Sequence, residues 1–170
     1  AGVSASFSRG MADGVKRVEV MEEGGGRKNG KSVVVLPKKG LLLIGIDDTD
    51  NETEGATYAL AHNLAVEAGN KYKVRYLSHV NVQLYPYNPN KTTNCFATVI
   101  GFVYESEEQR EGVVSHFKIR LTEETFSKNT VMAVYDGFKF DNHFTEKCRE
   151  AKFRLISSPD ELLRDANKQG

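Results

Sequence analysis

Hydrophobic side chains recur along this chain with two different periods, and the switching between them outlines the fold. Residues 15–21 alternate weakly through Val15, Val18 and Val20, a half-buried strand. Residues 22–31 hold Gly24, Gly25, Gly26, Asn29 and Gly30 and read as a turn. A β-branched run at 32–36 follows and is stopped by Pro37, so the first forty residues predict a β-hairpin arm. Residues 41–46 are apolar without interruption, which predicts a central strand covered on both faces. Ala56, Leu60 and Leu64 then recur at helical spacing, with Gly69-Asn70 expected to close that helix in a left-handed cap.

The second half repeats the alternation. Residues 74–84 read as a strand broken by Pro86 and Pro89, and residues 95–104, rich in Phe, Thr, Val and Ile, as the next. Ser106 and Gln109 match a capping box ahead of a stripe of Val113, Phe117 and Leu121, although Gly112 costs that helix about 1 kcal/mol of propensity. Residues 131–135 form a short strand, Phe144, Cys148, Ala151 and Leu155 a helical stripe, and Ser158-Pro159 the start of a last helix. From residue 41 the order βαββαβ is the split pattern of a ferredoxin-like sandwich. The fold class is α+β: an antiparallel sheet with helices packed on it, preceded by the hairpin arm.

Composition changes this picture little. The 170 residues carry 23 Lys plus Arg against 23 Asp plus Glu, a formal net charge of zero, so no strongly basic surface announces a nucleic acid. Cys95 and Cys148 have no paired metal spacing and read as reduced core thiols. No run approaches the ~18 apolar residues that cross a bilayer, and the expected setting is cytoplasmic with no membrane partner. The chain begins at Ala1 without a clear period over its first ten residues, and reads as the C-terminal piece of something longer.

The chemistry gathers where the central strand ends. Asp47, Asp48 and Asp50 fall within four residues; on a strand Asp48 and Asp50 share one face and Asp47 takes the other, and all three converge if the chain bends at Asp48. Like charges so close raise each other's pKa unless a cation lies among them, and hard oxygen ligands suit Mg²⁺ or Mn²⁺. An Asp-rich turn that caps the next helix is the competing reading, with Thr53 and Glu54 as alternative caps. Gly55, Ala56 and Thr57 open the helix, whose free N–H groups offer a natural phosphate site, with ordinary small-residue packing in the first turn as the competing reading. Lys91, Thr92 and Asn94 resemble a phosphate clamp, and Tyr85 and Tyr87 offer faces for a base or ribose. His79 and Asn81 share one strand face near this site, whereas His62, His116 and His143 show no ligand spacing.

Residues 25–32 match the P-loop pattern letter for letter. A P-loop needs a helix after its Ser, and here Ser32 enters a β-branched run, so the match is read as a hairpin turn.

The quoted residues carry a resemblance. Ile44-Gly45-Ile46-Asp47-Asp48-Thr49-Asp50, Gly55-Ala56-Thr57 and Lys91-Thr92 with Asn94 resemble the kinase-like domain of archaeal agmatidine synthetase, which modifies the wobble cytidine of an isoleucine tRNA. In that family the acidic motif handles metal and ATP, and a threonine at the helix start becomes phosphorylated; carried over without a gap it falls on Thr57. The stretch from about Val15 to about Gly137 also resembles the methanogenesis marker protein 11 family of methanogenic archaea, through Gly24-Gly25-Gly26, Ser78-His79 and Val82-Gln83-Leu84-Tyr85-Pro86 among others. Two departures from agmatidine synthetase stand out. Ala56-Thr57-Tyr58 replaces a cysteine followed by two threonines, and Thr93-Asn94-Cys95 replaces Arg-Gly-Asn. Nothing resembles that enzyme's tRNA-binding and zinc-ribbon domains.

The resemblance implies a Mg-ATP phosphotransferase-like domain at 41–156, after an N-terminal arm at 1–40 and before a helical tail at 157–170. Asp47, Asp48, Thr57 and Lys91 carry the implied chemistry, Asp47, Asp48 and Asp50 the metal, and Gly55, Ala56, Thr57, Lys91, Thr92 and Asn94 the nucleotide. The alternatives are a non-catalytic nucleotide-sensing accessory factor with a protein partner among methanogenesis enzymes, and tRNA modification.

Overall fold

The apolar run at 41–46 becomes the middle of a sheet because its two edges find partner strands on either side. In a computed structural model, which describes residues 10–89, 91–92, 94–156 and 158–169, it lies in β3 (Gly40–Asp47). This strand pairs antiparallel with β5 (Phe96–Tyr104) and with β6 (Val131–Asp136), while β4 (Arg75–Gln83) completes the sheet in the order β4-β5-β3-β6. With α1 (Thr57–Tyr72) after β3 and α2 (Glu107–Glu124) after β5, this is the ferredoxin-like arrangement expected from the element order. One face of β3 is sealed: Leu42 and Ile44 are 0% exposed and pack with Ala61, Leu64, Phe102 and Phe117 under the two helices. Leu41, Leu43 and Gly45 on the other face are only half-buried, so the expectation of two full covers holds for one face.

Of the described residues, 10–39 form a separate unit. Within it β1 (Arg17–Glu22) and β2 (Lys31–Val35) pair antiparallel, and the glycine-rich stretch between them turns through Gly26 at φ 59°. Ser32 lies inside β2, so the P-loop lookalike is a hairpin turn followed by strand.

Two helix boundaries differ from expectation. Helix α1 passes through Gly69-Asn70 and ends at Tyr72, with Lys73 rather than glycine in the left-handed conformation. The cause is tertiary: the Gln109 side chain donates to the carbonyls of Tyr72 and Lys73, both at 3.2 Å, and so caps α1 from the start of α2. The same residue completes the predicted capping box with Ser106. The stripe from Phe144 to Leu155 outruns its helix, since α3 spans only Asn142–Glu150. Neither α3 nor α4 (Pro159–Asn167) contains a buried residue, and Cys148 is exposed instead of joining the core; Cys95 is buried as expected. Lys147 on α3 pairs with Glu161 and Asp165 on α4 and holds the two together. Among the described residues no helix is long and apolar enough to cross a membrane.

Gly112 has a packing reason. A Cβ there would lie 2.5 Å from the Tyr72 ring, where α1 and α2 meet. Gly112→Ala gains about 1 kcal/mol of helix propensity but meets an overpacking penalty of about 1–3 kcal/mol, so the expected result is a net loss of about 1 kcal/mol, read as a lower urea midpoint. A raised midpoint would show that the ring moves aside freely.

Candidate functional site

Asp48 adopts a left-handed backbone, φ 52°, where β3 ends, and the three aspartates stay near enough that the charges of Asp48 and Asp50 act on Asp47. The Asp48 N–H donates back to Asp47 Oδ1 at 2.9 Å. Thr49, 1% exposed, turns inward: its N–H donates to Thr57 Oγ1 at 3.2 Å and its hydroxyl to the same oxygen at 2.9 Å. Thr57 Oγ1 in turn donates to Asp50 Oδ1 at 3.3 Å. The backbone of the loop is held from beneath. Thr130 Oγ1 donates to the Asp48 carbonyl at 2.8 Å, and the Phe126 N–H donates to that of Thr49 at 2.9 Å.

Thr53 and Glu54 do not cap the helix. Asn51 Oδ1 accepts from the Thr53 N–H and hydroxyl and from the Glu54 N–H at 2.8–3.0 Å, closing a turn of its own. The N-cap is Ala56, whose side chain accepts nothing, so the first-turn N–H groups of α1 keep no side-chain cap. Gly55 at φ 89° makes this entry feasible, since a Cβ there would approach Asp50 and the Phe126 ring to 3.0 Å.

Two cavities open above this loop. The smaller, about 180 Å³, is lined by Asp47, Asp50, Ala56, Thr57, Thr92 and Asn94 among others. The larger, about 310 Å³, takes in Asp47, Asp48, Tyr85, Lys91, Asn94 and Arg154. Asp47 and Asn94 belong to both, so every residue implied by the resemblance lines one or other cavity except Gly55, which serves the loop beneath. The connector between β4 and β5 is folded back by the bond from the Leu84 N–H to the Cys95 carbonyl, 2.7 Å, and Lys91 Nζ donates to the Pro86 carbonyl at 3.0 Å. Asn90 and Thr93 lie outside the described residues. Tyr87 is 79% exposed and lines neither cavity. Asn81 reaches the smaller cavity and accepts from Thr98 Oγ1 at 3.0 Å, whereas His79 stacks on Tyr58 at 4.5 Å and lines neither cavity.

Thr49, Thr125, Thr130 and Arg154 were not legible as site residues. Thr49 had a signal, because alternation puts it opposite Asp48 and Asp50 and hence inward. Arg154 had none, being far away in sequence.

Electrostatics sharpen the reading. Burial raises the Asp47 carboxyl to about 6, partly offset by the Asp48 N–H, and the charges of Asp48 and Asp50 add to the rise. Asp48 is raised as well, by burial and by Asp50. No cation lowers either group, although Lys91 and Arg154 line the same cavity. Among the described residues no group of three or more His, Cys, Asp or Glu is placed to hold a metal ion. Asp47 and Asp48 both line the larger cavity, and a site of one or two carboxylates is of the kind Mg²⁺ completes with phosphate oxygens.

Residues 43–110 match the TiaS TCKD domain. That span contains the acidic loop, α1 and the Lys91 connector, and it relates this chain to agmatidine synthetase. A crystal structure of TiaS in complex with an isoleucine tRNA and ATP shares the fold at TM-score 0.56 and 21% identity, over 75% of this chain and 30% of TiaS. Apo TiaS, described as a tRNA agmatidine synthetase, matches at TM-score 0.54 and 20% identity over 75% of this chain and 30% of that one. An uncharacterised protein of Methanocaldococcus jannaschii is 43% identical over 136 residues, 80% of this chain. The chain spans 45% of that relative's length. These matches bear on the agmatidine synthetase resemblance; none of them carries the methanogenesis marker name.

The Asp47 shift has a definite sign. The folded carboxyl keeps its proton up to about pH 6, while the unfolded one ionises near 3.8, so the folded state binds the extra proton between these values. The Asp47 contribution to stability is thus greatest below pH 3.8 and is lost as pH rises to about 6. Urea midpoints measured from about pH 4 to about pH 8 should show Asp47→Asn without that loss and more stable than wild type at the upper end. Parallel curves would refute the assignment.

Proposed function

We propose that this domain binds a nucleoside triphosphate with Mg²⁺ and transfers a phosphoryl group, as part of a tRNA-modifying protein. The observation that carries the reading is a pair of cavities that share Asp47 and Asn94, the larger of which is lined by carboxylates and cations that do not neutralise one another. A divalent cation together with a polyphosphate complements both signs at once. Asp47 and Asp48 would hold Mg²⁺, which neutralises phosphate charge when bound. Lys91 takes a phosphate as a point charge, Thr92 and Asn94 supply polar contacts, and the uncapped start of α1 at Ala56 and Thr57 receives the terminal phosphate.

Thr57 is the proposed phosphoryl acceptor. Its hydroxyl donates to Asp50, so the proton has a destination. Thr57 Oγ1 bonds to the γ-phosphorus, the bond from that phosphorus to the bridging oxygen breaks, the nucleoside diphosphate leaves, and the proton passes to Asp50. Such transfer depends chiefly on positioning and electrostatics, and a loop at the end of the central strand, held by Thr57, Thr130 and Phe126, meets that demand.

The tRNA context rests on the match of residues 43–110 and on relatives described as a tRNA complex and a tRNA agmatidine synthetase. With a formal net charge of zero, the part proposed for this chain is the nucleotide chemistry and not the RNA contacts. No observation favours the accessory-factor reading.

Isothermal titration of Mg·ATP should show binding to wild type that weakens at least about tenfold in Asp48→Asn, the loss of one charged ligand. Equal affinities, or binding by neither, would overturn the proposal. With γ-labelled ATP, label should enter wild-type protein and be absent from Thr57→Val; label retained in the variant would remove Thr57 as acceptor.

A further inference from the structure

The larger cavity has a wall that the matched span does not supply. Residues 43–110 provide the acidic loop and the Lys91 connector, but Ala151, Arg154, Leu155 and Ile156, which follow α3, close the far side. This segment is fastened to the site, because the Tyr85 N–H donates to the Ala151 carbonyl at 2.9 Å. The chain then winds one further turn, with the N–H groups of Phe153 and Arg154 both donating to the Glu150 carbonyl, at 2.9 and 3.0 Å. Arg154 is thereby set on the wall of the cavity that Lys91 of the β4–β5 connector also lines.

We infer that Arg154 is a second phosphate-binding cation, which makes the site selective for nucleoside polyphosphates over monophosphates. The inference rests on the nucleotide reading above and adds to it a residue and a specificity. Lys91 and Arg154 are the cations among the described residues lining this cavity. The guanidinium pairs at 2.6 Å with Glu150, one helical turn away, and both side chains are at least half exposed. An exposed pair of this kind is worth little, so the guanidinium is free to turn to a stronger anion. A phosphate offers it two oxygens in bidentate geometry, a match to the guanidinium fork that a lysine lacks. Its neighbour Lys147 is not available in the same way, being held by Glu161 and Asp165 of α4. With Asp47 and Asp48 lining the same cavity, a metal-bound phosphate chain there has separate phosphate groups to offer Lys91 and Arg154. A monophosphate has only one group for the two cations.

The test measures ATP, ADP and AMP with Mg²⁺ by equilibrium dialysis against wild type, Arg154→Ala, Arg154→Lys and Glu150→Gln. Arg154→Ala should weaken ATP about tenfold and ADP less, and leave AMP unchanged. Arg154→Lys should recover part of the loss, and Glu150→Gln should bind ATP at least as well as wild type. Since Arg154 is exposed, circular dichroism and melting temperature should not move. Unchanged ATP affinity in Arg154→Ala, or an equal loss for all three nucleotides, overturns this inference alone. A wild type that binds none of them overturns it together with the reading on which it rests.

Discussion

Thr49 is the residue on which the site depends. It is nearly fully buried among charged neighbours, and both its N–H and its hydroxyl are given to Thr57. A buried hydroxyl without a partner is costly, so this pair fixes the distance between the end of β3 and the start of α1. The left-handed turn at Asp48 and the bond from Thr57 to Asp50 accompany that fixed distance. Thr130 and Phe126 secure the same loop from the side of β6. A flexible acidic loop would spread its charges into water; this one holds them together.

That confinement leaves an electrostatic imbalance. Burial and mutual repulsion raise Asp47 and Asp48, and the two cations in the cavity wall are bonded elsewhere, Lys91 to a carbonyl and Arg154 to Glu150. A structural role would have paired carboxylate with cation directly, since both line one cavity. Leaving the two signs apart makes sense where a ligand carrying both arrives, and shifted groups in a cleft are where such ligands bind.

The scaffold keeps its rigidity away from the chemistry. Gln109 links the end of α1 to the start of α2, Gly112 lets the Tyr72 ring close the same joint, and the core beneath is sealed by Leu42, Ile44, Phe102 and Phe117. The site lies at the other end of α1, where the cap is missing. One helix is thus fastened at its C-terminus and left open at its N-terminus, and the open end faces the smaller cavity.

Much of this was written locally. The βαββαβ order, the capping box at Ser106 and the rejection of the P-loop follow from periods and turn residues, because each depends on contacts a few residues apart. Asp47, Asp48, Asp50, Thr57, Lys91 and Asn94 could be named as candidates from residue type and from their places at element ends. What sequence misjudged was decided by distant partners. Helix α1 ran past Gly69 because Gln109 caps it from another helix, and Cys148 stayed exposed because its helix packs on α4 instead of the sheet. Thr125, Thr130 and Arg154 join the site from distant parts of the chain through single hydrogen bonds and one folded-back turn, which leave no periodic trace. The sequence alone determined which groups were available and at which strand and helix ends they sit. Only the tertiary structure decided that they line two cavities with Asp47 and Asn94 in common, since convergence is a property of packed elements and not of spacing along a chain.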